Sequence, residues 1–164
     1  MPVESDREEF VRRYGGIYEH SRWVAEESFA EAANIDDVGD LATIFADCVN
    51  RADHEKKLAL VRAHPDLAGR AAVSGEPTHE SAMEQASAGI DRCTEQEYEQ
   101  FQELNEQYKD KFGFPFVMAV RGSNRREILA AFAARLANDE QTEFETAIRE
   151  IHKIARLRLR ELVT

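Results

Sequence analysis

Helical periodicity dominates the pattern of apolar and polar positions along this chain, with apolar residues recurring at intervals of three and four. The pattern predicts helices over 6–14, 20–33, 38–51, 53–63, 79–90, 94–110, 123–137 and 140–162. Start signals support several of them. Ser5 to Glu8 and Thr94 to Glu97 have the spacing of a capping box, and Asn124 with Glu127 has an N-cap and a carboxylate at the matching place. Tyr98, Phe101, Leu104 and Tyr108 form one expected buried stripe. Phe144, Ile148, Ile151, Ala155 and Leu162 form another. The prediction is an all-α fold, a single-domain multi-helix bundle spanning 1–164, built by packing helix on helix.

Two places break the pattern. Gly113-Phe114-Pro115-Phe116-Val117-Met118-Ala119-Val120-Arg121-Gly122 is apolar, bounded by glycines and interrupted by a proline. It predicts one short extended segment near 114–120, with no second strand to pair with it. Its backbone groups still need partners. It is either a buried connector satisfied by loops or water, or an extended wall whose amides bind a polar ligand. The other break is Val61-Arg62-Ala63-His64-Pro65-Asp66-Leu67, where a helical run meets a histidine and stops against a proline. Proline disfavours the α region for the residue before it, so His64 is expected at a helix end in a restricted conformation.

Composition narrows the classes. With 164 residues, 43% of them hydrophobic, the chain can bury a real core. No run of 18 apolar residues suggests a membrane span, and the acidic start MPVESDREEF does not read as a signal peptide. A net charge of −11 argues against nucleic acid as a partner. Cys48 and Cys93 lie far apart without zinc or redox spacing, which fits free thiols in a cytoplasmic protein.

Three places carry candidate chemistry. His64 is either a helix C-terminal cap, where a cationic imidazole favours the dipole, or a proton donor and acceptor titrating near neutrality. Ser81, Ala82, Met83, Glu84 and Gln85 are the second place. Positions 81, 84, 85 and 88 share one small, polar helix face, while Met83, Ala86 and Ile90 share the other. Ser81 and Glu84 themselves match a capping box; alternatively, a carboxylate beside an amide suits a substrate rich in N–H and C=O groups. The third is Arg158. With Ile151 at zero on a helical wheel of about 100° per residue, Arg158 falls near about −20°, in the middle of the apolar stripe. Arg156, Arg160, Lys153 and Arg149 fall on the opposite side. A cation facing a core needs an anion or several acceptors. Arg158 is therefore a buried ion pair, a snorkelling side chain or a clamp for a substrate carboxylate. The five histidines show no metal-ligand spacing and no phosphate-cradling glycine loop is present, so no metal is expected. Tyr18-Glu19-His20-Ser21 is polar and ends in a serine placed to cap a helix.

Taken together, five segments give a resemblance: GGIYEHSRWVAE (15–26), AHPDLAGRAA (63–72), ESAMEQASAGID (80–91), YKDKFGFPFVMAVRG (108–122) and IHKIARLRLREL (151–162). In this order and spacing they resemble the 2-oxo-4-hydroxy-4-carboxy-5-ureidoimidazoline (OHCU) decarboxylase family of urate degradation. Arg22 departs from it, since many members have proline after EHS. The resemblance implies the family's all-helical fold, frequently a homodimer, with neither metal nor organic cofactor. It gives proton transfer to His64 and places Glu84 and Arg158 near the reacting groups, with Arg156 as the fallback arginine. Substrate contacts fall on Pro65, on Ser81, Ala82, Met83, Glu84 and Gln85, and on Phe116, Val117, Met118, Ala119 and Val120.

The implied chemistry needs no electron sink beyond the substrate. Its departing carboxylate sits beside a ring carbonyl, so loss of CO2 leaves an enolate rather than a bare carbanion. One proton delivered to one face then fixes (S)-allantoin, whereas the spontaneous reaction gives a racemate. A different class, a non-catalytic helical interaction module on the same fold, would have no use for His64, Glu84 and Arg158 together.

Overall fold

Most of the helices start at a side chain that accepts from their own first turn. The computed structural model describes residues 4–68 and 78–163, and the observations below concern these. They form α1 (Glu4–Tyr14), α2 (Trp23–Ala32), α3 (Val38–Arg51), α4 (His54–Arg62), α5 (His79–Ser87), a 3-10 turn (Ile90–Arg92), α6 (Glu95–Phe112), α7 (Arg125–Arg135) and α8 (Glu140–Val163). No strand occurs among the described residues. Asp37, Asp53, Thr78, Thr94 and Asn124 each cap a helix by accepting from an amide three residues on. At Thr94 the reciprocal bond from its own amide to Glu97 completes the capping box expected from the sequence. Gly113, left-handed at φ 79°, ends α6 two residues beyond the predicted boundary. Gly89, at φ 78°, ends the regular part of α5 early and turns the chain into the 3-10 segment. The side chain of Ser5, and Gly69 with the rest of AHPDLAGRAA after Ala68, lie outside what is described.

The chain divides into two compact units, one running to Ala63 and resuming at His152, the other His64–Ile151. In the first, α1, α2 and α3 pack on aromatic rings, Phe10 lying 4.8 Å from Tyr14 and 5.3 Å from Phe29 between centroids. Leu41, Phe45, Val49, Leu60 and Leu159 are buried in the same unit. In the second, Phe101, Tyr108, Phe116, Ile128, Phe132 and Ile151 are almost wholly buried. Phe116 stacks on Phe132 with centroids 3.9 Å apart and planes 9° from parallel. Both predicted stripes are present in outline, except that Leu162 is 43% exposed near the end of α8.

Candidate active site

His64 follows the C-cap of α4 directly and is buried. The next residues leave the helix as Pro65 dictates and reach Ala68, which has the left-handed φ of 56° that a residue with a Cβ rarely adopts. Neighbouring helices fasten this short loop. Gln85 Oε1 accepts from the Ala68 amide at 3.1 Å, and Gln102 Nε2 donates to the Ala68 carbonyl at 3.0 Å. Asn105 Nδ2 donates to the Leu67 carbonyl at 2.9 Å, and Lys109 Nζ lies 2.6 Å from Asp66 Oδ2.

On α5 the cap is Thr78, whose hydroxyl accepts from the Ser81 amide at 3.2 Å. Ser81 and Glu84 are therefore not the capping box that their spacing allows. Glu84 stands in the second turn, with its carboxylate not spent on a helix start. The polar face predicted from 81, 84, 85 and 88 is the inward one: Ser81 and Ala88 are buried, Glu84 and Gln85 half-buried. Ala82 and Met83 point outward, Met83 being 56% exposed. The structure brings Gln85 to the His64 loop through the bond to Ala68.

The extended segment behaves as a wall held by helices. Phe116, Val117 and Val120 are buried; Met118 and Ala119 are half-buried. Arg135 Nη1 donates to the Val117 carbonyl at 2.6 Å, and Glu150 Oε1 accepts from the Ala119 amide at 3.1 Å. Side chains of α7 and α8 thus satisfy two groups of this backbone, the Val117 carbonyl and the Ala119 amide. Arg135 also lies 4.3 Å over the Phe116 ring and pairs with the fully buried Glu143 at 2.8 Å. Tyr108 donates to the same carboxylate at 2.6 Å, and Asn138 to its other oxygen at 2.9 Å. Burial, then the hydrogen bond to Glu143, push the Tyr108 phenol far above its ordinary pKa.

Arg158 belongs to the first unit. It is buried and Arg156 is exposed, as the wheel position predicts. Its Nη1 lies 3.1 Å from Glu19 Oε1, with both side chains almost wholly out of solvent, and 3.4 Å from the Gly16 carbonyl. Of the three sequence alternatives, the buried ion pair thus has an identified partner. Ser21 does not cap α2, because its hydroxyl turns back to the Glu19 carbonyl at 2.9 Å.

Sequence reasoning missed Glu19, Arg135, Glu143, Gln102 and Asn105. For two of these a signal existed. Asn105 interrupts the stripe Phe101, Tyr108, Phe112, and Glu143 lies one and two turns before the buried Ala147 and Ile151. Both are polar residues on an apolar face, the criterion that singled out Arg158. No group of potential metal ligands occurs among the described residues. A groove of about 460 Å³ in the first unit, floored by Phe10, Tyr14 and Phe29, contains none of the predicted site residues.

Known proteins resemble the chain over nearly all of its length. The OHCU decarboxylase family matches residues 4–160. A 2-oxo-4-hydroxy-4-carboxy-5-ureidoimidazoline decarboxylase from Haloferax volcanii is 47% identical over 156 residues, covering 95% of this chain and 90% of that protein. One from Halalkalicoccus jeotgali is 44% identical over 159 residues, covering 97% and 88%. A crystal structure of an OHCU decarboxylase in the presence of (S)-allantoin has the same fold, with a TM-score of 0.74 at 23% identity, covering 92% of this chain and 97% of that one.

Proposed function

The chain belongs to the OHCU decarboxylase family, and we propose that it converts OHCU to (S)-allantoin in urate degradation, without a cofactor and with His64 as the proton donor. The observation that carries the reaction is the 47% identity, across nearly both full lengths, to a relative bearing that name. The carbon–carbon bond to the carboxylate breaks, CO2 leaves, and the electron pair delocalises into the neighbouring ring carbonyl. His64 then delivers a proton to one face of that carbon. A buried imidazole fixed between a helix end and a proline supports this role, because a proton source with one orientation gives one stereoisomer.

Glu84 supports the reading by its place: it is half-buried on the inward face of α5, whose N-cap is Thr78. Pro65, residues 81–85 and the backbone of 116–120 are the proposed contacts. Ala82 and Met83 are included although both are exposed. Arg158 is the proposed cation for the substrate's carboxylate. Cytoplasmic location and a homodimer complete the reading, the latter testable by light scattering.

Circular dichroism of freshly generated OHCU, with and without the protein, tests the function. Growth of the (S)-allantoin signal above the spontaneous rate is the expected result. A signal no faster than the spontaneous reaction, from folded protein, would leave the fold serving as an interaction module.

A further inference from the structure

We infer that Gln102 and Asn105 of α6, together with Gln85, are positioning residues for His64: they hold the backbone of the loop after it in one strained conformation and so set the aim of the imidazole. The inference rests on the proposed role of His64 as proton donor.

The strain is located at Ala68. A left-handed alanine persists only where its surroundings over-determine it, and such residues cluster where geometry matters for function. Here the surroundings are explicit. Both backbone groups of Ala68 are held by glutamine side chains, the amide by Gln85 and the carbonyl by Gln102. The preceding carbonyl is held by Asn105, and the carboxylate before that by Lys109. Residues 102, 105 and 109 are three and four apart, so one face of one helix supplies three of the four fastenings. Between the clamped Asp66 and His64 stands only Pro65, whose ring fixes its own φ. Few free torsions separate the clamp from the imidazole.

Asn105 is a costly way to fill its position. It is buried in the stripe with Phe101, Tyr108 and Phe112, and its Oδ1 has no hydrogen-bond partner among the described residues. A leucine there would remove that unmet acceptor but leave the Leu67 carbonyl without its donor. What the amide adds is the donor received by the Leu67 carbonyl, and this also fixes its orientation, since only the NH2 group can donate.

The test uses the full chain, steady-state kinetics on OHCU, thermal melts, and NMR of the His64 imidazole, assigned by its loss in His64→Asn. The variants are Asn105→Leu and Gln102→Met. The control is Gln107→Ala, on the same helix but in an exposed pair with Glu103. The expected result is a kcat about tenfold to hundredfold lower in both variants, with KM near wild type and His64 resonances shifted. Gln107→Ala leaves all three unchanged. If Asn105→Leu does not fold, Gln102→Met, at a half-buried site, decides alone. Unchanged kcat overturns the inference, and so does a fall in kcat with His64 resonances as in wild type. If wild-type protein itself fails to act on OHCU, the proposed function falls; the positioning is then read from the resonances, and it too falls if the variants leave them unmoved.

Discussion

Two non-helical stretches of the second unit, the loop from Pro65 to Ala68 and the wall from Phe114 to Val120, are fastened in opposite ways. The loop is held mainly by neutral side-chain amides, and its one ion pair, Lys109 to Asp66, is partly exposed at 43% and 23%. The wall is held by buried charge: Arg135 on the Val117 carbonyl, with Glu143, Tyr108 and Asn138 closing the network behind it. A neutral hydrogen bond contributes about 0.5–1.5 kcal/mol net, whereas breaking a buried ion pair strands a charge and costs about 3–5 kcal/mol. The wall should therefore govern whether the unit folds. The loop should govern what conformation His64 takes once it has folded.

The largest expected effect breaks the loop's chemistry and leaves the fold alone. His64→Asn should melt near the wild-type temperature and lose about 10²- to 10⁴-fold in kcat, the usual contribution of a general acid. Near-wild-type turnover would remove the proton-donor role. Arg135→Met is the counterpart in the wall. It should cost about 3–5 kcal/mol, because Glu143 keeps its burial and loses its cation. A melting temperature unchanged in Arg135→Met would show that the two stretches are not held differently after all.

Arg158 asks whether the lesson of the wall carries over to the first unit. Its pair with Glu19 is more deeply buried than that of Arg135 with Glu143. Arg158→Met should also cost about 3–5 kcal/mol, and Arg158→Met combined with Glu19→Gln should regain most of it. The proposed second role appears separately, as a fall of about 10²-fold in kcat/KM measured on the folded fraction. Near-normal kcat/KM in that fraction would leave Arg158 as a structural pair only.

Glu84→Gln comes next in size. Thr78 is the cap, so the substitution should barely move the melting temperature. A hydrogen bond to a charged group is worth about 1.5–3 kcal/mol, so kcat/KM should fall about 10- to 100-fold. Unaltered kinetics would return Glu84 to the status of a helix-surface residue.

These contrasts also explain what was legible in the sequence. Helix positions were, because caps such as Thr94 and Asn124 act within three residues of themselves. The inward face of Arg158 was, because wheel position depends on one helix alone. Its partner was not: Glu19 lies 139 residues away in sequence, and no local rule connects them. Arg135 was hidden for a different reason. At the last turn of α7 a basic residue already has an ordinary explanation in the helix dipole, so nothing pointed to the wall. The motif histidine was visible, but the three amides that hold its loop come from 17 to 38 residues downstream.

The smallest expected effect is the most specific to the loop. Ala68→Gly removes a Cβ from a left-handed backbone position, where an L side chain costs about 1–2 kcal/mol. Glycine returns part of that through its greater freedom in the unfolded chain, about 0.5–1 kcal/mol. The net gain should be about 0.5–1 kcal/mol, a rise of about 1–4 °C in melting temperature for a chain of this size. With Gln85, Gln102 and Asn105 intact, the loop keeps its shape and kcat should not change. A fall in melting temperature would mean that the methyl group packs more tightly than the strain costs. A fall in kcat without a fall in stability would mean that the alanine itself, and not only the amides around it, restricts the loop beside His64.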